Sequence, residues 1–286
     1  MQSGEAGTWS DLERPPLRQA SLRAALTVGA EAWRSVEVVA ETGSANADLL
    51  ERAQAGEPGG AVLVADSQNH GRGRLGRTWT SPPRSGITVS VLVRPAAPVE
   101  EWAWLSLATG LAVTDALIRV CGLPASLKWP NDVLVPATGV VHHDYAGDRL
   151  KVAGILAELA GTGVVLGIGL NVSQDESELP VPTATSLRLA GSATTDRDTV
   201  LRAVLRALSR RLAEFETDRP GLAAAYRERC STIGATVRAE LPDGTSRTGV
   251  AEGVDDAGRL LLRTEDDSVI RLSAGDVMHI RTPETA

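Results

Sequence analysis

Three arginines and three glycines interleave in the run Gly71-Arg72-Gly73-Arg74-Leu75-Gly76-Arg77, which follows Gln68 and leads into Thr78-Trp79. Glycine lets a backbone take positive φ and approach a ligand closely. Arginine adds a permanent charge and a planar donor fork that matches carboxylate or phosphate. Together they describe a clamp for a small anion. The glycines also fit GxGxxG, but the dinucleotide turn needs a helix opening at its last glycine. Here Pro82-Pro83 follow closely and cannot propagate one. No GxxxxGK[ST] phosphate loop occurs in the chain. The bland alternative is a solvated glycine-rich loop.

Other segments carry chemistry-bearing residues. Lys128-Trp129-Pro130-Asn131-Asp132 sets a cation, an indole, an amide and a carboxylate at a strand end. Such a group can stack on a ring, read polar edges and hold Mg²⁺ or orient a lysine. It is equally a turn in which Pro130, Asn131 and Asp132 cap local backbone. Lys151 opens Lys151-Val152-Ala153-Gly154-Ile155-Leu156-Ala157-Glu158. Strand alternation puts it on the face of Ala153, Ile155 and Ala157. It is then either an end-of-strand snorkeller or a charge facing a ligand anion. Gly167 and Gly169 in Gly167-Ile168-Gly169-Leu170-Asn171-Val172 strip one strand face of side chains, leaving room for a flat ligand, or merely weaken the strand. His142-His143 points its two rings apart and lacks a spaced third ligand, so it reads as a solvated loop. No Ser/His/Asp or Cys/His nucleophile constellation stands out.

The elements that must position these residues read as an α+β chain. A polar leader over 1–16, expected to be disordered, ends in Pro15-Pro16. Helices are expected over 17–28, 46–53, 99–120, 196–215 and 222–229. Strands are expected over 36–40, 61–65, 87–93, 126–129, 132–135, 150–159 and 164–172. From residue 233 onward, short strands separated by turns predict a small all-β barrel to about 282, so that 17–232 forms the larger domain. The 286 residues, 43% hydrophobic and 23% charged, suit a soluble globular protein. A net charge of −7 opposes a general nucleic-acid or anionic-membrane binder. Two cysteines, no secretory signal and an apolar stretch at 102–113 too short for a bilayer predict a cytoplasmic protein.

Taken together and in order, Gly43-Ser44-Ala45-Asn46, the Gln68 to Trp79 loop, Lys128 to Asp132, Lys151 to Glu158 and Gly167 to Val172 resemble the biotin protein ligases. The resemblance runs from about Val36 to the end. It implies a mixed, largely antiparallel sheet flanked by helices, as in class II aminoacyl-tRNA synthetases, with a C-terminal SH3-like β-barrel. It implies that biotin is activated with ATP and Mg²⁺ to biotinyl-5′-AMP. Biotin then passes to a lysine of a biotin carboxyl carrier domain of acyl-CoA carboxylases. Ser44, Ala45, Asn46, Gln68, Gly71, Arg72, Gly73, Arg74, Lys151, Gly154, Gly167 and Gly169 would form the biotin side. Arg77, Trp79, Lys128, Asn131, Asp132 and Asn171 would form the adenylate side, with Asp132 toward Mg²⁺. Lys151, Arg72 and Arg74 would carry the chemistry.

One residue departs from the pattern. Ala45 stands where the family usually has threonine, whose hydroxyl points at the biotin ring; weaker biotin affinity is expected. Before Val36 there is too little chain for the winged helix-turn-helix of longer members, so a monofunctional ligase is expected. Three readings compete with it: a lipoate or octanoate ligase of the same fold, a nucleic-acid-binding regulator, and a biotin-binding protein without catalysis. The arginines of the loop repel one another without an anion, so ligand is expected to order it.

Overall fold

The computed structural model describes residues 14–29, 33–137, 148–241, 244–273 and 276–279. Helix α1 (Gln19–Leu26) precedes β1 (Ser35–Val39), α2 (Ala45–Gln54) and β2 (Ala61–Ala65). After the glycine-arginine loop come β3 (Gly86–Val93), α3 (Ala103–Ala116), β4 (Ser126–Lys128) and β5 (Asp132–Pro136). Then follow β6 (Arg149–Leu159), β7 (Val164–Asn171), α4 (Arg197–Thr217) and α5 (Arg219–Arg229). The small domain holds β8 (Thr236–Glu240), β9 (Ser246–Val254), β10 (Leu260–Arg263), β11 (Val269–Leu272) and β12 (Asp276–His279).

The large sheet has the order β1-β2-β3-β7-β6-β5-β4. The β1–β2 pair is parallel, as the α2 crossover between them requires, and every other neighbouring pair is antiparallel. The small domain is a five-stranded antiparallel sheet ordered β11-β10-β9-β8-β12. This is the expected α+β class.

Strand alternation builds two unequal faces. Val62 and Val64 of β2, Ile87, Val89 and Val91 of β3, and Leu166, Ile168 and Leu170 of β7 enter one large core with α1, α3, α4 and α5. The opposite parity gives a smaller cluster under α2: Ala45, Leu49, Ala53, Leu63, Leu92 and Val165. That second face is apolar only beside α2. Further along it, β3 presents Thr88 and Ser90, and β7 presents Gly167 and Gly169, paired Thr88 to Gly169 and Ser90 to Gly167. A sheet face with small and polar residues and no covering helix leaves room for a ligand.

Helix ends follow local chemistry. Ser44 caps α2 by accepting from Ala47 N, and Asp196 caps α4 through Thr199 N. Asp218 caps α5, which therefore begins at Arg219 with a proline in its first turn, earlier than expected. The single helix expected over 99–120 is broken into a 3₁₀ turn (Val99–Glu101), α3 and a π turn (Leu117–Cys121) that stops at Gly122, φ 66°. The stretch Ala103–Cys121 is long and apolar enough to cross a membrane by composition, but 72% of it is buried inside the protein, as a core helix is. The expected leader ends sooner than residue 16. Arg14 and the carbonyl of Pro15 are held by hydrogen bonds to Glu178 and Arg197, whereas residues 1–13 lie outside those described. The loop carrying His142 and His143 also lies outside them.

The small domain is fastened beneath the strand end that carries Asn131 and Asp132. Trp129, 2% exposed, donates its indole N–H to Gly258 O at 3.1 Å, and Trp104 donates to Asp256 O at 2.7 Å. Thr232 Oγ1 accepts from Trp129 N and lies 3.2 Å from His279 Nε2. Burial, with the nearby Lys128 charge, lowers the His279 pKa to about 4. Its folded value lies below the ordinary 6.5, so the unfolded chain takes the proton first as pH falls. Stability from this site is intact above about pH 6.5 and is lost progressively toward pH 4. For this partly exposed ring, His279→Gln should remove an acid-side loss of about 1–2 kcal/mol. Urea midpoints measured from pH 7 to pH 4 check this; parallel curves for both proteins would contradict it.

Candidate active site

A cavity of about 500 Å³ opens on the uncovered sheet face. Ser44, Asn46, Gln68, Arg72, Gly73, Arg74, Arg77, Trp79, Asn131, Asp132, Lys151, Gly154, Gly167, Gly169 and Asn171 line it. Most residues singled out from the sequence are thus gathered in one place. Ala45, Gly71 and Lys128 are not on its wall.

The floor is a row across four strands: Thr88 pairs with Gly169, Gly169 with Gly154, and Gly154 with Asp132. Directly opposed residues share a face, so Asp132 points the same way as the glycines. Lys151 reaches this face through an irregularity. The β5–β6 register shifts between Val133 and Leu134, which pair with Ala153 and Lys151, leaving Val152 as the extra residue of a bulge. Val152 and Ala153 are both buried in the large core. The lysine side chain lies instead over Gly154, where a Cβ would stand 3.3 Å from Lys151 Nζ. Simple alternation would have put Lys151 with Ala153 and Ile155; the bulge turns it into the cavity. There its Nζ is 2.6 Å from Asp132 Oδ1 and 5.9 Å from the centroid of Trp79.

The glycines serve a different neighbour from the flat ligand expected of them. A Cβ at Gly169 would fall 2.3 Å from Trp79 Cε2, and one at Gly154 3.2 Å from Trp79 Cζ3. One at Gly167 would fall 2.3 Å from Asn46 Oδ1. The indole and the Asn46 amide therefore take up much of the room that missing side chains leave. Gly71 permits another close approach: a Cβ there would lie 2.3 Å from Trp79 O.

Two arginines of the loop already have protein partners. Arg72 donates to Glu158 Oε2 at 3.0 Å, and Arg74 to Asn131 Oδ1 at 3.2 Å. The loop is further closed by an Arg72–Thr78 bridge and by Gly73 N donating to Arg77 O. Ligand was expected to order the loop because its arginines repel; Glu158 gives Arg72 a counter-charge and Asn131 gives Arg74 a neutral acceptor. Glu158 Oε2 also accepts from Asn46 Nδ2 at 2.8 Å, and Asn46 Oδ1 accepts from Ser90 at 2.5 Å. One carboxylate thus joins the loop, the start of α2 and β6.

Ala45 acts through its backbone, which donates to Gln68 Oε1 at 2.8 Å, while its methyl is fully buried in the cluster under α2. Lys128 is the register partner of Asp132 on the edge strand and so shares the cavity's face of the sheet without lining the cavity, and its charge bears on His279. Asn171 donates to Thr185 O and accepts from Gln174, itself 1% exposed.

The sequence reading missed Thr88 and Ser90, which interrupt an apolar strand at alternate positions, a visible signal. It also missed Leu75, Pro180, Val181 and Ala184 on the cavity's rim. Nothing local in 180–184 marks those residues; the Lys151 N to Thr183 O and Thr185 N to Lys151 O bonds bring that segment beside the lysine. Chemically, the site joins fixed cations, an aromatic plate and one carboxylate around a volume suited to a small molecule.

Residues 38–175 match the biotin/lipoate A/B protein ligase family, and residues 232–279 match the biotin protein ligase C-terminal domain. The chain is 46% identical to the biotin–[acetyl-CoA-carboxylase] ligase of Mycobacterium tuberculosis over 95% of its own length and 98% of that protein's. It is 32% identical to the bifunctional ligase/repressor BirA of Escherichia coli, over 87% of this chain and 75% of BirA. The solved Aquifex aeolicus biotin protein ligase in complex with biotin and ATP superposes with a TM-score of 0.72 at 30% identity, over 87% of this chain and all of the other. Fold, motif order and full-length likeness agree, and this chain belongs to the biotin protein ligase family.

Proposed function

We propose that the protein is an ATP-dependent biotin protein ligase. Biotin is activated as biotinyl-5′-AMP and passed to a specific lysine of the biotin carboxyl carrier domain of an acyl-CoA carboxylase. The observation that carries this reading is the cavity in which Lys151, Asp132, Arg74, Asn131 and Trp79 converge, in a chain of this family. A biotin carboxylate oxygen attacks the α-phosphorus of ATP and pyrophosphate leaves. The neutral carrier amine then attacks the acyl carbon, loses a proton, and AMP departs.

The first step joins two anions, so repulsion and misalignment dominate its barrier. Lys151, turned inward by its bulge, and Arg72 and Arg74 offset that charge, with the loop closing on biotin alongside Ser44, Asn46, Gln68 and Gly73. Ala45 and Gly71 contribute backbone and space. Arg77, Trp79, Asn131, Asp132 and Asn171 face the nucleotide, and Trp79 offers a ring for stacking. Lys128 sits outside this set. Mg²⁺ keeps several waters and usually takes one or two carboxylates besides phosphate, a demand that Asp132 fits. No group of three His, Cys, Asp or Glu among the described residues would hold a metal alone. Carried with ATP, Mg²⁺ supplies charge neutralisation at the phosphates.

Biotin is favoured over lipoate or octanoate by the 46% identical ligase, although the matched family embraces both acids. The net charge of −7 supports neither nucleic acid nor a membrane surface as a partner. Two free, buried cysteines, Cys121 and Cys230, are compatible with the cytoplasm.

Mass spectrometry of a carrier domain after incubation with Mg-ATP and each acid separately tests the reading. A biotin-sized increment on one lysine is expected; modification by lipoate or octanoate alone would refute it. Lys151→Ala and Arg72→Ala should each slow biotin-dependent pyrophosphate release ~10²–10³-fold with the melting transition retained. Unchanged turnover in either purified variant would remove that residue's role. Gly169→Ala pushes a methyl into the Trp79 indole and should raise the KM for ATP, whereas an unaltered KM would separate the indole from nucleotide binding.

A further inference from the structure

Segment 172–187 leaves the end of β7 and returns beside Lys151, and Pro180, Val181 and Ala184 on it line the cavity. The returning limb is tied by backbone. Leu187 N donates to Asn171 O, Arg188 N to Val172 O, and Lys151 N to Thr183 O. The outgoing limb is held differently. Ser173 N donates to Ser85 O at 2.7 Å, Gln174 Nε2 donates to Ser81 Oγ at 2.8 Å and Gln174 O accepts from Ser186 Oγ at 2.7 Å, while Asp175 pairs with Arg188 at 2.7 Å. Beyond these, the anchor at Glu178 comes from the chain's other end. Arg14 Nη1 donates to Glu178 Oε1 at 3.0 Å, and its Nη2 donates to Glu178 Oε2 at 2.5 Å and to Ser173 O at 3.1 Å.

Both partners of this fork are shielded, the side chains being 17% and 28% exposed, so screening by water and salt is reduced. Arg14 holds the Glu178 carboxyl below the usual carboxylate range, and Asp175 N adds a further bond to Glu178 Oε2. The arginine itself stands on a firm base. Pro15 O accepts from Arg197 Nη2 at 2.7 Å, and Arg197 is paired with Asp66 at 2.8 Å, all against the start of α4. Arg14 thus spans from the body of the sheet to the limb that enters the cavity wall two residues after Glu178.

We propose that Arg14 is a positioning residue for the nucleotide: through Glu178 and Ser173 it fixes the limb that sets Pro180, Val181 and Ala184 beside the adenylate half of the site. This rests on the reading of the cavity as a biotin and ATP site. A bidentate, partly shielded pair of this kind governs how often the limb is in place before ATP arrives, so its loss appears as weaker nucleotide binding. Biotin, held by the loop on the other side of Lys151, is little affected.

The full-length chain with Arg14→Gln, with Glu178→Gln, and with the exchanged pair Arg14→Glu/Glu178→Arg tests it in biotin-dependent pyrophosphate release. Either single variant should raise the KM for Mg-ATP about tenfold. The KM for biotin and the melting temperature should hold, and the exchanged pair should recover most of the loss. Amide hydrogen exchange over 173–184 should quicken in the single variants and slow again in the pair. An ATP KM within twofold of wild type, or equal rises for ATP and biotin, would overturn the assignment. A wild-type chain that forms no adenylate would remove the functional reading itself, and this inference with it. Wild-type activity with an unmoved variant removes the inference alone.

Discussion

An unpaired lysine on a sheet face would be a surface snorkeller; here a single extra residue, Val152, redirects it. The bulge lets Val152 and Ala153 both enter the core and swings Lys151 over Gly154 to meet Asp132 at 2.6 Å. That ion pair is the constraint around which the rest is arranged. It places a cation and an anion side by side in a cavity, where Coulomb interactions are stronger than in water. The backbone of Lys151 simultaneously receives segment 183–185, so the same residue anchors a further part of the cavity wall, at Ala184.

Everything else keeps negative and aromatic groups in register with that lysine. The antiparallel row Thr88, Gly169, Gly154, Asp132 needs small residues in its middle because Trp79 lies there. Glu158 ties Arg72 to Asn46 and so links the loop to α2, while Asn131 ties Arg74 to the strand end. The small domain supports this strand end from below through Trp129 and Gly258. Arg14 bonds Glu178 and Ser173, and Arg197 bonds Pro15 and Asp66. Preorganisation of this kind is established during folding, not at the moment of reaction.

Much of this was legible in the amino-acid order. The α+β class and the antiparallel core strands follow from alternation and turn chemistry, while the residues that meet in the cavity were picked out by their types and by the resemblance in motif order. The misses have physical causes. Lys151's face could not be read because a bulge breaks the period of two on which the reading relies. Ala45's methyl belongs to the α2 cluster, because the first turn of that helix faces inward there. Arg14 was assigned to a leader on polarity and on the Pro15-Pro16 pair; its partner Glu178 is 164 residues away, and no local pattern reports such a contact.

The account stands on two acids being joined at the lysine-centred cavity, and oxygen tracing addresses that join directly. Biotin carrying ¹⁸O in both carboxylate oxygens is incubated with the protein, Mg-ATP and a carrier domain, and the released AMP is weighed. Attack by the carboxylate on the α-phosphorus, followed by acyl transfer, leaves one ¹⁸O in AMP and one in the new amide. AMP without the label, or label found in pyrophosphate, would contradict the mixed anhydride and the charge-gathering role assigned to this site.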